Sequence, residues 1–336
     1  MRGTGTASSG RLRRCIVITE DVKHMALETG FTLPCHTSPL VSVVVLNWNG
    51  LQDTVDCLAS LDRITYPNLD RWVVDNGSTD GSSEAIQSQF PTVRLIRNSK
   101  NLGFAGGINV GIRAALDNGA TYVFLLNNDT IVAPDVVDRL LDGMCSDFQI
   151  GVVVPKIVYH SAPERIWSAG ARWVTFPPRV KLIGYGESSD NKYYCEPYFL
   201  HYATGCALLV DDRTFARVGL FDECFFMYQE DYDFARRVCK AGLRMYYEPR
   251  AIVYHKVSQG LGENSARKWY HWGRSSVLFY RKHFPTLYLV WFASWIVARE
   301  IAKVNWGILL AFARGVCDGL TSWERTRSGT YGDHGM

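Results

Sequence analysis

"TYVFLLNNDTIVAP", residues 121–134, is the stretch on which the reading of this chain turns. Seven of its first eight residues suit a strand. Then three small polar side chains follow in a row, Asn127, Asn128 and Asp129, before Ile131, Val132 and Pro134. A strand covered on both faces that ends in a polar cluster with one charge is either a turn or the mouth of a site. In a parallel sheet, ligands bind outside the carboxyl ends of the strands. The choice therefore depends on how the other strands end.

They end the same way. "VSVVVLNWN" (41–49) is a valine-rich run that closes on Leu46-Asn47-Trp48-Asn49. "RWVVD" (71–75) runs into Asp75-Asn76-Gly77-Ser78, and "VRLI" (93–96) into "RNSKNLGFAGG". Between these lie stretches with helical spacing at 53–61, 81–90, 106–120 and 134–144. Strand and helix alternating at this interval predict a parallel, doubly wound sheet. Four polar strand ends on one side of such a sheet predict a pocket.

After residue 150 the pattern loosens. "IGVVVPKIVY" and "GCALLVDD" read as strands, separated by a tyrosine- and proline-rich stretch at 173–202. A mixed sheet with longer loops is expected here. "EDYDFARRVCKAG" (230–242) is a helix with Phe234, Val238 and Ala241 on one face, and "LRMYYEPRAIVYH" (243–255) is strand material.

Composition agrees with an α/β fold. The chain has 336 residues, 47% hydrophobic and 21% charged, enough to bury a sizeable core. A net charge of +3 does not mark a nucleic-acid partner. Nine cysteines without a CxxC pair argue against a disulfide framework or zinc site and for a reducing, cytoplasmic setting. Residues 1–39 read as a poorly ordered extension without a signal-peptide core, and Met25 is a second candidate start. The tail, 286–336, reads as helical. "PTLYLVWFASWIVA" (285–298) carries no charge but falls short of the roughly 20 residues a spanning helix needs. Core helices packed on the main domain and peripheral membrane contact through residues 285–314 both fit, the second because Arg281, Lys282, Arg299, Lys303 and Arg314 flank the apolar runs.

The polar residues have paired readings. Asp75 is either turn chemistry or an acceptor for a base or ribose. The glycines of "NLGFAGGINVG" lack dinucleotide spacing but would let a phosphate or sugar approach a helix start. Asp129 is either a capping residue or an oxygen ligand for a hard cation. Glu230, Asp231 and Asp233 are favoured at a helix amino terminus by the backbone dipole, and Asp233 can pair with Arg237 one turn on. The same dipole keeps a carboxylate ionised, as a general base requires. His255 is either structural or, brought beside Asp129, a metal ligand.

"VSVVVLNWNG", "VVDNGSTDGS", "NLGFAGGINVGI", "LLNNDTIVAPD", "ATGCALLV", "FFMYQEDYDFARRVCKAG" and "AIVYH" occur in the order found in family 2 inverting glycosyltransferases. The chain resembles the rhamnosyltransferase-like subgroup over residues 40–285, which would form the catalytic domain. The resemblance implies a nucleotide-diphospho-sugar transferase fold, Rossmann-like with a mixed central sheet and helices on both faces, followed by the C-terminal helical tail. It implies Mn²⁺ or Mg²⁺ as cofactor, a nucleotide diphosphate sugar as donor, dTDP-rhamnose being the subgroup guess, and a glycan or lipid-linked saccharide as acceptor. By position it assigns Leu46, Trp48 and Asp75 to the nucleotide base, and Gly103 and Asn109 to the nucleotide-sugar pocket. Asn127, Asn128 and Asp129 fall on the motif that contacts ribose and metal. Many members carry an acid where this chain has Asn127, leaving Asp129 and His255 as metal ligands. Asp231 matches the catalytic base, Glu230 its acidic neighbour, Thr204 and Gly205 the acceptor side, and Arg274 a candidate phosphate contact. Related folds make nucleotide sugars, load polyprenyl phosphates or bind without catalysis. The first of these usually carries a basic, glycine-rich loop after strand one, which "NWNGLQDT" lacks.

Overall fold

Alternate side chains of the first strand enter opposite halves of the core, and that alternation organises the molecule. Val41, Val43 and Val45 face one layer and Val44 the other. In the computed structural model, which describes residues 38–257, 265–302 and 305–327, strand β1 (Val41–Asn47) lies inside a ten-stranded sheet. The extension read at 1–39, Met25 included, lies outside the described residues apart from Ser38 and Pro39.

The first half follows the expected course. Helix α1 (Leu51–Leu61), β2 (Leu69–Asp75), α2 (Ser82–Gln89), β3 (Arg94–Arg97), α3 (Gly103–Asp117) and β4 (Tyr122–Asn127) succeed β1. The order β4-β1-β2-β3 is parallel throughout. Leu46 stands opposite Asn127 and Asn47 opposite Asp75, so the polar ends are level.

Then the sheet becomes mixed. After β5 (Thr130–Val132) and α4 (Val136–Cys145) come β6 (Ile150–Tyr159) and β7 (Ala162–Ser168). The hairpin of β8 (Ala171–Val174) and β9 (Arg179–Leu182) forms a separate two-stranded sheet. β10 (Tyr198–Leu200), β11 (Ala207–Asp211), α5 (Asp212–Val218), α6 (Glu230–Lys240) and β12 (Arg244–His255) complete the main sheet, in the order β10-β12-β6-β11-β4. β11 runs antiparallel to both β4 and β6, while β12 is parallel to β6. The change of pattern read at residue 150 is thus the change from parallel to mixed pairing.

Three helices follow: α7 (Ala266–His283), α8 (Thr286–Ala302) and α9 (Trp306–Arg327). Glycines bring α7 and α9 into backbone contact. A side chain at Gly273 would meet the Phe312 carbonyl at 2.5 Å, and one at Gly319 the Arg274 carbonyl at 2.8 Å; Gly315 lies against the Tyr270 carbonyl. No helix among the described residues is long and apolar enough to cross a membrane.

Candidate active site

The chain turns sharply after Asn127, and β5 pairs antiparallel with the end of β12, His255 opposite Thr130. That register brings Asp129 to His255 across 126 residues of sequence, with Oδ2 and Nε2 3.2 Å apart. The Asp129 carbonyl accepts from the Lys256 backbone N–H at 2.9 Å, which fixes the turn. His255 is buried, with Trp167 edge-on at 4.4 Å between ring centres. Burial opposes a charged imidazole, but Cys206 and the Asp129 carboxylate outweigh it and carry His255 up to about 10. Nδ1 is buried without a well-formed hydrogen bond, although the Cys206 thiol interacts with the ring.

With the imidazole proton displaced by the metal, one oxygen and one nitrogen ligand suit a divalent cation of the Mn²⁺ type. Among the described residues no group of three His, Cys, Asp or Glu side chains completes such a site. The donor set therefore fits a cation whose remaining positions are filled by ligand oxygens and water.

The neighbouring strand ends are tied together. Asn47 Nδ2 donates to Asp75 Oδ1 at 3.2 Å and to Ser78 Oγ at 3.1 Å, while its Oδ1 accepts from Thr54 Oγ1 at 2.9 Å. Asn128 Nδ2 donates to Thr54 Oγ1 at 2.9 Å. Asp75 is 4% exposed and accepts from the hydroxyls of Ser78 and Ser83 as well. Asn127 keeps its side-chain amide without a partner among the described residues, whereas its backbone N–H donates to the Cys206 carbonyl at 2.9 Å.

Asp231 occupies the first turn of α6. Its Oδ2 accepts from the Gly205 N–H at 2.9 Å and its Oδ1 from the Tyr232 N–H at 2.8 Å. Burial of the carboxylate outweighs these donors and raises Asp231 to about 6, although the residue keeps partial solvent contact. Glu230 is pushed well above the usual carboxylate range by burial and by Asp231. Among the described residues its buried Oε2 has no partner, as suits a neutral acid. Asp231 is then the ionised member of the pair at neutral pH, and a base with a value near 6 combines availability with basicity.

Residues 204–206 join the two ends. Gly205 holds Asp231 through its N–H, and Cys206 holds Asn127 through its carbonyl and His255 through its side chain. Thr204, 8% exposed, turns its hydroxyl back to the Cys206 N–H at 3.4 Å. The segment leading into β11 thus touches both the Asp231 carboxylate and the Asp129–His255 pair.

The family model for glycosyl transferase family 2 matches residues 42–207. An N-acetylglucosaminyl-diphospho-decaprenol L-rhamnosyltransferase from Mycobacterium tuberculosis is 30% identical over 242 residues, 62% of this chain and 73% of that protein. The chain belongs to glycosyl transferase family 2. It is a glycosyltransferase of the rhamnosyltransferase-like kind. A chondroitin synthase from Escherichia coli is 30% identical over 147 residues, 43% of this chain and 21% of that one. Two solved structures share the fold. GalNAc-T7 with UDP, GalNAc and Mn²⁺ aligns with a TM-score of 0.54 at 17% identity, covering 67% of this chain and only 44% of that one. A mannosyltransferase from Pyrobaculum calidifontis in complex with GDP-Man and Mn²⁺ aligns with a TM-score of 0.52 at 16% identity, covering 88% and 80%.

Within this glycosyltransferase, several sequence-assigned residues also make contacts that hold the protein itself together. Gly103 has φ +78°, and the group that closes on it is the Phe226 carbonyl of the protein itself. Gly107 and Gly111 let α3 lie against Leu46 and Val44, so this glycine stripe serves helix–sheet contact. Asn109 is 1% exposed; its amide donates to the Phe221 carbonyl at 2.8 Å and accepts from the Phe221 N–H at 3.1 Å. Arg274 donates to the Cys224 carbonyl at 2.8 Å. It belongs to a buttress: Ser275 Oγ donates to the Met227 carbonyl at 2.7 Å, and Ser276 Oγ accepts from Gln229 Nε2 at 2.6 Å. Three successive residues of α7 therefore hold the loop that presents Glu230 and Asp231. That loop needs holding, because Tyr228 and Gln229 both have positive φ, 69° and 68°. Trp48 carries the Arg267 guanidinium 5.1 Å from its ring centre. Lys256, which the sequence reading passed over, bonds Asp53 at 3.1 Å and Asp56 at 2.5 Å and ties β12 to α1. Its place directly after His255 was the available signal.

Proposed function

We propose that this glycosyltransferase is an inverting enzyme that moves L-rhamnose from dTDP-rhamnose to a hydroxyl of a lipid-linked glycan precursor. The observation that carries the reading is the coupling of Asp231 to the Asp129–His255 pair through residues 204–206. The rhamnose and lipid-linked terms rest on the name of the mycobacterial relative. Residues 40–285 form the catalytic domain in this reading, and 286–336 a tail that works at the cytoplasmic face of a membrane.

The chemistry follows from the chain's own groups. Asp231 takes the proton of the acceptor hydroxyl as that oxygen attacks the anomeric carbon from the side opposite the nucleotide. The bond from that carbon to the diphosphate breaks in the same displacement, so the configuration inverts. Positioned general-base help contributes about 10²- to 10⁴-fold in rate. Glu230, neutral, leaves the negative charge on Asp231. Asp129 and His255 would hold the Mn²⁺ or Mg²⁺ ion, which when bound neutralises charge on the departing nucleoside diphosphate. Asn127, with its amide free to reach ligand, and Asn128 would donate to ribose or phosphate; Leu46, Trp48 and Asp75 would frame the base.

The test is a donor panel scored by nucleoside diphosphate release, with calorimetry of donor binding beside it. Asp129→Ala should lose the part of donor binding that depends on Mn²⁺ and retain the part seen in EDTA. Equal binding by both proteins with and without Mn²⁺ would remove Asp129 from the site.

A further inference from the structure

Beside the catalytic base lies a cavity of about 260 Å³ that the reaction as described does not use. Gln229 and Tyr232, which bracket Glu230 and Asp231 in sequence, form one wall. Trp272 of α7, Trp295 and Arg299 of α8, and Arg179 of β9 form the others. The two guanidinium groups share one indole: Arg179 lies 4.8 Å and Arg299 4.7 Å from the Trp295 ring centre. They are therefore no more than about 10 Å apart. Arg299 is partly neutralised by Glu300, at 2.6 Å. Among the described residues no carboxylate pairs with Arg179. Among the described residues its side chain makes one hydrogen bond, a long one of 3.4 Å to the Pro177 carbonyl.

An uncompensated guanidinium in an aromatic-walled cavity is a place for an anion with an apolar attachment. Guanidinium groups recognise phosphate oxygens through several donors in a fixed plane. The aromatic walls suit hydrocarbon, and the roof of the cavity is α8, whose opposite face is apolar and exposed at Leu287, Val290 and Trp291. Gln229 and Tyr232, the sequence neighbours of Glu230 and Asp231, line the same cavity. We propose that this cavity binds the diphosphate of a prenyl-diphosphate-linked acceptor, with Arg179 as the principal anion contact, Arg299 as the second, and the first isoprene units along Trp272 and Trp295. The sugar would then project toward Asp231 while the hydrocarbon leaves under α8. This deepens the lipid-linked acceptor reading above and rests on it.

The test separates the two. Farnesyl diphosphate, farnesol and inorganic pyrophosphate are titrated in EDTA, with tryptophan fluorescence as the readout. The wild type should bind farnesyl diphosphate at least tenfold tighter than either of the others. Arg179→Gln should lose that advantage, and Arg179→Lys, which keeps the charge but not the planar fork, should keep only part of it. Thermal melts of both variants report folding. Undiminished binding by Arg179→Gln would overturn the proposal. So would displacement by dTDP, which would put the probe in the donor site. In a second arm, transfer to a farnesyl-diphosphate-linked sugar is compared with transfer to the octyl glycoside of the same sugar. The variant should lose at least tenfold in kcat/KM on the first and little on the second; equal losses would also overturn the proposal. If farnesyl diphosphate binds as expected but dTDP-rhamnose yields no transfer to the linked sugar, the rhamnosyl-transfer reading fails while the anion site stands.

Discussion

At the scale of a residue, Asp231, the base of the proposed reaction, is where that function and stability would pull apart. Burial lifts its carboxyl to about 6. A folded-state value above the unfolded one means that the group's contribution is fully present below about pH 4 and is lost as pH rises through 6. Ionised Asp231 therefore costs the fold about 2–3 kcal/mol at neutral pH, since each tenfold change in proton affinity is worth roughly 1.4 kcal/mol. Asn at this position cannot titrate. The unfolding free energy of the wild type minus that of Asp231→Asn should fall by about 2–3 kcal/mol between pH 4 and pH 7.5, followed by urea denaturation. Log kcat/KM of the wild type should rise in proportion to pH up to about pH 6 and then level, and the variant should show no transfer. A pH-independent stability difference would mean that the carboxylate is solvated after all. Asp233, two residues on, shows the opposite sign. Burial opposes its charge, but His283, Arg237 and Lys282 hold it down to about 2. Its contribution is present above pH 4 and lost only in strong acid, as befits a clamp between α6 and α7.

At the scale of elements, what the sequence could reveal follows the length of each pattern. β6 was readable at its observed bounds because ten apolar-rich residues leave no helical alternative. α6 was readable from its three-acid start and its glycine stop, and the Asp233–Arg237 pair forms at 2.8 Å as its spacing requires. β5, with three residues, and the β8–β9 hairpin, with four in each strand, have no periodicity to detect. Yet β5 is the element that delivers Asp129 to His255. The structural part that Arg274 plays was not legible for a related reason: on a helix of unknown partners nothing in the sequence points to the Cys224 carbonyl, and only the docked helix reveals a buttress. That buttress depends in turn on α9. Val in place of Gly315 would drive its side chain into the Tyr270 carbonyl, and backbone cannot yield as a side chain does. Gly315→Val should cost about 3 kcal/mol or more. Because α7 also steadies the 224–229 loop, kcat should fall more than donor affinity does. Thermal melts with paired kcat and donor-binding measurements check this, and a variant with normal kcat would detach the tail helices from the base.

At the scale of the whole molecule, α8 has one face inside the protein and one that calls for a cover. One face of that helix is core, through Leu289, Phe292 and Ile296. The other exposes Leu287, Val290, Trp291, Val297 and Ile301, and α9 adds Trp306 and Leu310. Phe176, at the tip of the β8–β9 hairpin and 81% exposed, meets Trp291 with ring centres 6.4 Å apart. An apolar strip spread over helix and hairpin exceeds the scattered exposure of an ordinary surface. Arg172 and Lys181, register partners on the same hairpin, are exposed, as is Arg314 on α9. Aromatic side chains beside exposed cations match the boundary of an anionic bilayer, where rings lie at headgroup depth and cations meet lipid phosphate. A second copy of the chain would bury the apolar strip but bring like charges together. The protein should therefore sediment with vesicles containing about 30% anionic lipid, more weakly with neutral vesicles, and only partly release in high salt, because salt screens the charges and leaves the apolar contact. Leu287→Ser with Trp291→Ser should weaken that association at least tenfold, each side chain withdrawing part of the roughly 1.5–3 kcal/mol that full burial of a large apolar group supplies. Transfer to a water-soluble acceptor should be unchanged in the same variant. A wild type that ignores vesicles and sediments as a dimer, with the double variant monomeric, would assign the strip to a second copy instead.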